Sequence, residues 1–431
     1  MAFSTNKELR NMVMYSVFVR NHSETGDFEG VYRDLERIKS LGTDIIWFLP
    51  IHPIGKTQRK GELGSPYAIS DYRAINPEYG TINDFKKLVD AIHEKGMKCI
   101  IDVVYNHTSP DSWLAQNHPE WFYKKEDGSF GNKIGEWHDV IDLDYNQRGL
   151  WDYQIETLKK WAEIVDGFRC DVAPLIPIEF WIQARKEVEQ VNVNCIWLSE
   201  SVEPIFTIDN RERGMVSLSD SEIYQAFDMC YEYDVYSYFK GYLQGKHSLK
   251  EYLTQINMQE GIYPDNYVKL RFLENHDNTR AHFLIPDKTN LLNWTAFMYF
   301  QKGMTLIYSG QESACKHLPS LFDKDTIKWK NDSELQKLMN QLYKIKKHAL
   351  LTDSRYETIA LPHDVICATH KKNGDMLVGI FCINGTKGLV SVDFAEGEYT
   401  NLLSGKKFEI HRGQISLDGS PIIFEYRRDR C

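Results

Sequence analysis

Four apolar runs of strand length, far apart in the chain, each end in acidic or imidazole side chains. They read KCIIDVVYNH, DGFRCDVA, CIWLSESVE and RFLENHDNTR, at 98–107, 166–173, 195–203 and 271–280. Runs that are apolar throughout are typical of parallel strands buried on both faces. Because a parallel βα barrel brings the C-terminal ends of its strands to one rim, where its active site is built, we expect these polar side chains to meet there.

Helical patterns lie between the apolar runs. Residues 28–41 carry apolar side chains at three- and four-residue steps, which predicts an amphipathic helix that ends at Gly42. A second helix is predicted from Thr81 to Gly96. Further strands are predicted at 12–19, 44–51, 224–230, 268–275 and 304–310. Alternating strands and helices indicate parallel βαβ units.

Two regions depart from this alternation. From His107 to about Tyr145 the periodicity is absent and aromatic residues are frequent, and a loop of this length inside a compact domain is usually functional. After about residue 350, two strand runs flank Asn373-Gly374, which is a strong hairpin signal, and more strands follow without helices. We therefore predict a small antiparallel β domain at the C-terminal end.

The bulk composition of the 431 residues disfavours several classes of protein. A net charge of −10 argues against a nucleic-acid partner. No apolar run reaches 18 residues and no signal-peptide pattern is present, so no membrane partner is expected. The eight cysteines are dispersed without a CxxC pair, which favours free thiols and a cytoplasmic location. The sequence indicates no oligomeric state.

Two acids at neighbouring strand ends have the pattern of a glycosidase pair. Asp171 and Glu200 are 29 residues apart, about one βα repeat, so they can face one pocket, and glycoside hydrolysis requires two carboxyls flanking one bond. Arg169 points to the same side as Asp171 and is expected to lower its pKa, which suits a nucleophile. Glu200 follows an apolar strand, and a poorly solvated carboxyl keeps its proton, which suits a general acid.

Each of these residues also has a structural interpretation. A single Asp after a strand is more often a helix N-cap or an ion-pair member than a catalyst, so Asp171 could form a structural salt bridge with Arg169, and His107 and His276 could be hydrogen-bonded core residues. The recurrence of such groups at all four strand ends favours a functional site. Asp277 would then bind sugar hydroxyls or stabilise positive charge at the anomeric carbon, and His107 would donate to another hydroxyl.

In this order, the four segments resemble the conserved regions of the α-amylase family of glycoside hydrolases (family 13), over about residues 12–340. Three further segments support the resemblance: GSPYAISDY at 64–72, DLDY at 142–145 and GMTLIYSGQE at 303–312. The resemblance implies a (β/α)8 TIM barrel at 1–106 and 146–345. It also implies a short domain B at 107–145, inserted after the third strand, and a C-terminal antiparallel β-sandwich at 346–431.

The resemblance further implies retaining hydrolysis of α-glucosidic bonds. Asp171 corresponds to the nucleophile, Glu200 to the general acid and base, and Asp277 to the acid that stabilises the transition state. The residues that hold the sugar would be Tyr67, His107, Arg169 and His276, with Asp102 supporting the site structurally. The implied partner is an α-glucan or maltooligosaccharide substrate.

Some properties stay open at this level. In many members of the family Asn106 and an acid matching Asp142 bind a structural Ca²⁺, a cation that prefers oxygen ligands, and no organic cofactor is implied. The Ala-Lys-His run that commonly follows the nucleophile is replaced by residues 172–175, VAPL, so a polar grip on the acceptor side is missing. The leading hypothesis is a retaining hydrolase of α-1,4 bonds in maltooligosaccharides or starch-type glucans, with an α-glucosyl transferase or an α-1,6-acting glucosidase as the alternative. A non-catalytic glucan-binding relative is disfavoured because all three acids are present.

Overall fold

A computed structural model of the protein describes residues 4–135 and 137–427. Within these residues eight parallel strands close into a barrel, which confirms the predicted fold class. The strands are β1 Val13–Val17, β2 Ile45–Phe48, β3 Lys98–Val103, β4 Gly167–Cys170, β5 Ile196–Ser199, β6 Met229–Tyr231, β7 Val268–Arg271 and β8 Met304–Tyr308. They neighbour one another in chain order, and β1 closes the barrel on β8 with Tyr15 opposite Ile307.

Helices connect and cover the strands. Their bounds are α1 Val19–His22, α2 Phe28–Tyr32, α3 Leu35–Ser40, α4 Ile82–Glu94, α5 Trp113–Asn117, α6 Arg148–Ala162, α7 Ile178–Val188, α8 Pro204–Glu212, α9 Asp220–Ile223, α10 Tyr233–Leu243, α11 Leu249–Ile262, α12 Ala281–Leu284, α13 Lys288–Phe300, α14 Ser333–Lys346 and α15 Ala349–Thr352. Short 3-10 turns lie at Lys7–Asn11, Pro119–Trp121, Ala173–Leu175 and Gln311–Ser313. No helix of the described ranges is long and apolar enough to cross a membrane.

The predicted helix starting near Thr81 is confirmed. Thr81 caps α4, since its hydroxyl accepts the Asp84 N–H and the Asp84 carboxylate accepts the Thr81 N–H. The single helix predicted over 28–41 is instead α2 followed by α3. The chain breaks at Asp34, whose carboxylate binds His22 at 2.9 Å and Arg37 Nε at 2.8 Å. The contact of Asp34 with His22, from α1, outweighs the helical periodicity of the local sequence.

The strand predicted at 224–230 is shorter and later than expected. The chain before it forms α9, where the Ser219 hydroxyl donates to the Glu222 carboxylate at 2.7 Å. Tyr224 lies in the turn that follows, and its hydroxyl donates to the Val268 carbonyl at 3.0 Å. The strand β6 therefore begins only at Met229.

The residues after the barrel form two antiparallel sheets, as predicted. The strands are β9 Arg355–Leu361, β10 Val365–Lys372, β11 Asp375–Cys382, β12 Gly388–Ser391, β13 Gly397–Thr400, β14 Lys407–His411, β15 Gln414–Leu417 and β16 Ile422–Arg427, in the orders β9-β10-β11-β16 and β12-β15-β14-β13. Asn373 and Gly374 have φ values of 55° and 92° and join β10 to β11 in a two-residue hairpin. A second apolar core, which includes Val378 and Phe424, packs between the sheets.

The irregular segment between β3 and β4 has its own small core. His107–Thr108 pairs antiparallel with Ile141–Asp142, and Phe122 is buried against Phe130. All seven cysteines in the part of the chain that the structure describes are free. The exact domain limits given above stay a prediction.

Candidate active site

The predicted strand ends do meet at the C-terminal rim of the barrel. Asp102 lies on β3, Arg169 on β4, and Asp171 and Glu200 follow β4 and β5 directly. The backbone ladder runs one residue past each strand. The Asp171 N–H donates to the Val103 carbonyl at 2.9 Å, and the Glu200 N–H donates to the Cys170 carbonyl at 3.0 Å. The barrel itself therefore fixes the positions of both carboxyl-bearing residues.

Arg169 connects three of the acids. Its guanidinium is fully buried, and Nη1 donates to both oxygens of Asp102 at 2.8 and 2.9 Å and to Asp171 Oδ1 at 2.8 Å. Nη2 lies 2.9 Å from Glu200 Oε1. The Nε–H donates to the hydroxyl of Tyr231 at 3.2 Å. One cation thus holds the carboxyls of Asp171 and Glu200 close together.

The three carboxyls that share this cation have raised pKa values. Burial raises the pKa of Glu200 to about 8, because loss of water penalises the ionised form more than Arg169 favours it. Burial likewise raises the pKa of Asp171 and of Asp102 to about 7. Arg169 acts in the predicted direction and lowers the pKa of Asp171, but burial outweighs it, so the net shift is upward. Each carboxyl is therefore protonated more readily than in water, as a general acid at the Glu200 position requires.

Val172, directly after Asp171, adopts a backbone conformation that β-branched residues rarely tolerate. Its φ is 35°, in the left-handed region. In this conformation its N–H donates to Glu200 Oε2 at 2.9 Å. Strain of about 1–3 kcal/mol is typical of such a residue and is common at functional sites. No pattern in the sequence indicates this backbone contact.

The predicted sugar-binding residues line the other side of the site. The rings of Tyr67 and His276 stack with centroids 5.5 Å apart, and the Tyr67 hydroxyl lies 2.6 Å from His276 Nε2. His276 Nε2 is also 3.1 Å from Asp277 Oδ2, and His107 Nε2 is 3.9 Å from Asp171 Oδ2. Burial lowers the pKa of both His107 and His276 to about 4, so both rings are neutral at pH 7.

These groups face a cavity of about 310 Å³, near the lower end for small-molecule sites. It is lined by six predicted residues, which are Tyr67, His107, Asp171, Glu200, His276 and Asp277. Arg169 and Asp102 lie beneath it. The prediction missed Lys60, Ser65, Trp137, Asp139, Val140, Val172, Leu321 and Phe322, which also line the cavity. Three of these carried a signal: Ser65 lies in the segment 64–72, Val172 in the run 172–175, and Trp137 among the aromatic residues of the irregular segment.

Asn106 and Asp142 lie on adjoining segments, since the Leu143 N–H donates to the Asn106 carbonyl at 3.0 Å. Asn106 Nδ2 is 3.2 Å from His107 Nδ1, and Asp142 Oδ2 accepts the Lys133 N–H at 2.7 Å. Asp142 Oδ1 is the buried oxygen left without a hydrogen bond. Across the described ranges, no three His, Cys, Asp or Glu side chains are grouped to hold a metal. Ca²⁺ takes six to eight oxygen ligands, so Asn106 and Asp142 would supply only part of its shell, and calcium binding here stays a prediction.

Comparisons with known proteins agree with this geometry. The family model described as alpha amylase, catalytic domain, matches residues 16–349, and the model for the bacterial alpha amylase C-terminal domain matches residues 357–424. A crystal structure of an alpha-amylase from Lactobacillus plantarum is 48% identical and aligns over 98% of this chain and 100% of its own, with a TM-score of 0.94.

Two curated relatives are longer than this chain. Alpha-amylase 2 from Dictyoglomus thermophilum is 26% identical over 88% of this chain and 67% of its own length. Alpha-1,4-glucan:maltose-1-phosphate maltosyltransferase from Pseudomonas aeruginosa is 32% identical over 69% of this chain, and this chain spans less than half (46%) of its length. With a barrel rim of this composition and a catalytic-domain match over most of its length, the chain belongs to the alpha-amylase family of glycoside hydrolases.

Proposed function

We propose that this enzyme hydrolyses α-1,4 bonds of maltooligosaccharides or starch-type glucans with retention of configuration. The observation that carries the proposal is the contact of Asp171 and Glu200 with one guanidinium. Retaining glycosidases need two carboxyls only about 5–5.5 Å apart, whereas inverting enzymes leave room for a water between them. A shared cation and the bond from the Val172 N–H to Glu200 favour the closer arrangement.

In the first step, a carboxylate oxygen of Asp171 attacks the anomeric carbon and the bond to the leaving oxygen breaks. Glu200 gives its proton to that oxygen, so the leaving chain departs as a neutral alcohol. The high pKa of Glu200 supports this role, since it keeps the proton on Glu200 while Arg169 holds Asp171 in place. The product of this step is a β-glycosyl ester on Asp171.

In the second step, the Glu200 carboxylate removes a proton from water, whose oxygen attacks the same carbon. The ester bond breaks, Asp171 leaves as a carboxylate, and the released sugar is the α anomer. Asp277, which lines the cavity and whose side chain is 43% exposed, would stabilise the positive charge that develops at the anomeric carbon. Neutral His107 and His276 would donate hydrogen bonds to sugar hydroxyls.

Transfer to a sugar acceptor is the second candidate, and it uses the same intermediate. The likeness to a maltosyltransferase favours it. Hydrolysis and transfer then differ only in whether water or a sugar hydroxyl accepts the glycosyl group. An α-1,6-acting glucosidase would use these same residues on another linkage.

A time course with maltoheptaose, followed by proton NMR and by product length, tests the proposal. Hydrolysis predicts shorter products that first appear as α anomers and are absent with Asp171→Asn. Products longer than the substrate would indicate transfer. Initial release of β anomers would contradict a retaining mechanism.

A further inference from the structure

The barrel fixes the direction in which a bound glucan must run. Glu200 follows β5, which is four strands from β1 in either direction around the closed barrel. Because Glu200 protonates the leaving oxygen, the leaving chain departs on the β5 side. The carbon that carries the next unit of the donor sugar lies across the ring from the anomeric carbon. The non-reducing part of a longer chain would therefore extend toward β1, between the loops that follow β8 and β2.

Two loop segments, residues 61–64 and 320–323, lie across this path. We call these two segments the donor-side wall. The Leu63 N–H donates to the Phe322 carbonyl at 3.0 Å, and the Glu62 N–H donates to Asp323 Oδ1 at 2.8 Å. The contact is tight at Gly61, where an added Cβ would lie 2.7 Å from the Phe322 Cβ. These contacts join the two loops into one continuous surface, with no groove between them.

A buried cation fastens the donor-side wall to the barrel. Arg20 lies on α1, directly after β1, and is 2% exposed. Its Nη1 donates to the Gly64 carbonyl at 3.0 Å and to the Leu321 carbonyl at 3.2 Å, so it holds one residue from each segment. Because a buried guanidinium that loses its acceptors carries a large penalty, separation of the two segments is strongly disfavoured.

An ion pair extends the closure to the segment after β3. Lys60 Nζ lies 2.9 Å from Asp139 Oδ1, and the Asp139 side chain is only 4% exposed. Lys60 also sits over the ring of Phe322, 5.8 Å from its centroid. Trp137, two residues before Asp139, packs against the ring of His107. Three segments therefore converge over the donor end of the cavity.

From this arrangement we infer that the donor side of the site is closed. On this inference, which rests on the proposed function, the enzyme removes short units from the non-reducing ends of maltooligosaccharides. A glucan that passed through the site would have to break the Lys60–Asp139 pair and part the donor-side wall. The chain ends of a maltooligosaccharide need neither change, and the small cavity accommodates a short donor segment.

The test compares two maltoheptaosides that carry a chromophore at the reducing end. One has a free non-reducing end, and in the other the terminal O4 and O6 are blocked by a benzylidene acetal. We expect stepwise shortening of the free substrate from its non-reducing end, and cleavage of the blocked one at least 10-fold more slowly. Equal rates with internal cuts in both would overturn the closed donor side while leaving hydrolysis intact. Cleavage of neither would refute the proposed function and the inference with it.

A variant pair identifies the residues responsible. Lys60→Ala/Asp139→Asn removes the ion pair without leaving a buried carboxylate unpaired, and it should raise the ratio of blocked to free cleavage at least 10-fold. Lys246→Ala, at an exposed lysine between α10 and α11, is the matched control and should leave the ratio unchanged. An unchanged ratio in the double variant, with its melting temperature retained, would show that this ion pair does not close the site.

Discussion

Replacement of Glu200 by glutamine separates the proton donor from the rest of the site. The carboxyl of Glu200 has two contacts, Arg169 Nη2 and the Val172 N–H, each at 2.9 Å. Glutamine has one oxygen, so its amide nitrogen must face one of these donors. A hydrogen bond to a charged group is worth about 1.5–3 kcal/mol. This loss is offset by removal of a carboxyl whose burial is unfavourable, so we expect the variant to fold with nearly unchanged stability.

The catalytic effect should be large and should depend on the leaving group. Loss of general acid catalysis costs about 10²–10⁴ in rate, or about 3–5 kcal/mol of transition-state stabilisation. For Glu200→Gln we expect that loss in kcat/KM on maltoheptaose. Fluoride leaves without a proton, so kcat/KM on α-maltosyl fluoride should fall less than 10-fold. The control Glu203→Gln, three residues along and half-exposed, should leave both values nearly unchanged.

The assay is steady-state kinetics on the two substrates under the same conditions. An equal loss of kcat/KM on maltoheptaose and on the fluoride would refute the role of Glu200 as proton donor. Such a result would mean that the variant had disturbed the positions of other groups. Unchanged hydrolysis of maltoheptaose would also refute it.

Four further predictions follow from the contacts around the site. Arg169→Met removes a fully buried cation from three carboxyls. It should lower the free energy of unfolding, measured by urea titration, by about 3–5 kcal/mol and abolish nearly all activity. A free energy of unfolding within about 1 kcal/mol of wild type would contradict this role of Arg169. Burial raises the pKa of Glu200 from 4.5 to about 8, so the folded state keeps a proton that the unfolded state loses. As the pH rises from 5 to 9, the free energy of unfolding of the wild type should therefore fall relative to that of Glu200→Gln. A rise over this range would contradict a raised pKa for Glu200. Val172→Gly should be at least as stable as wild type in thermal unfolding. Glycine relieves left-handed backbone strain of about 1–3 kcal/mol, which offsets its entropy cost of about 1 kcal/mol. A markedly lower melting temperature would show that Val172 is not strained. Treatment with EDTA tests the calcium prediction at Asn106 and Asp142, where Asp142 Oδ1 is buried without a hydrogen-bond partner; a melting temperature that falls with EDTA and is restored by Ca²⁺ would confirm the prediction, and an unchanged one would contradict it.

The sequence predicted the barrel and its rim because both depend on local patterns. Apolar runs that end in polar residues identify buried parallel strands, and Asp102, Arg169, Asp171 and Glu200 all lie where that pattern puts them. Helix α4 was predictable for the same reason, since its cap is formed by Thr81 and Asp84, three residues apart. Asn373-Gly374 likewise specifies its hairpin without help from the rest of the chain.

The features that escaped prediction depend on contacts between distant segments. The pKa of Asp171 rises because burial outweighs the effect of Arg169, and that burial is set by the whole fold rather than by any single segment. Lys60 and Asp139 lie in polar loops nearly eighty residues apart, and only the fold brings them together. The break between α2 and α3 has the same origin, because Asp34 binds His22 from the preceding helix.

The covalent intermediate gives the most direct test of the central claim that Asp171 is the nucleophile of a retaining α-glycosidase. The enzyme is incubated with 5-fluoro-α-D-glucosyl fluoride, digested, and mapped by tandem mass spectrometry. If Asp171 is the nucleophile, one glycosylated peptide carries the label on Asp171, and Asp171→Asn carries no label. A label on another residue would contradict the assignment, and so would α-glucan turnover that persists in Asp171→Asn.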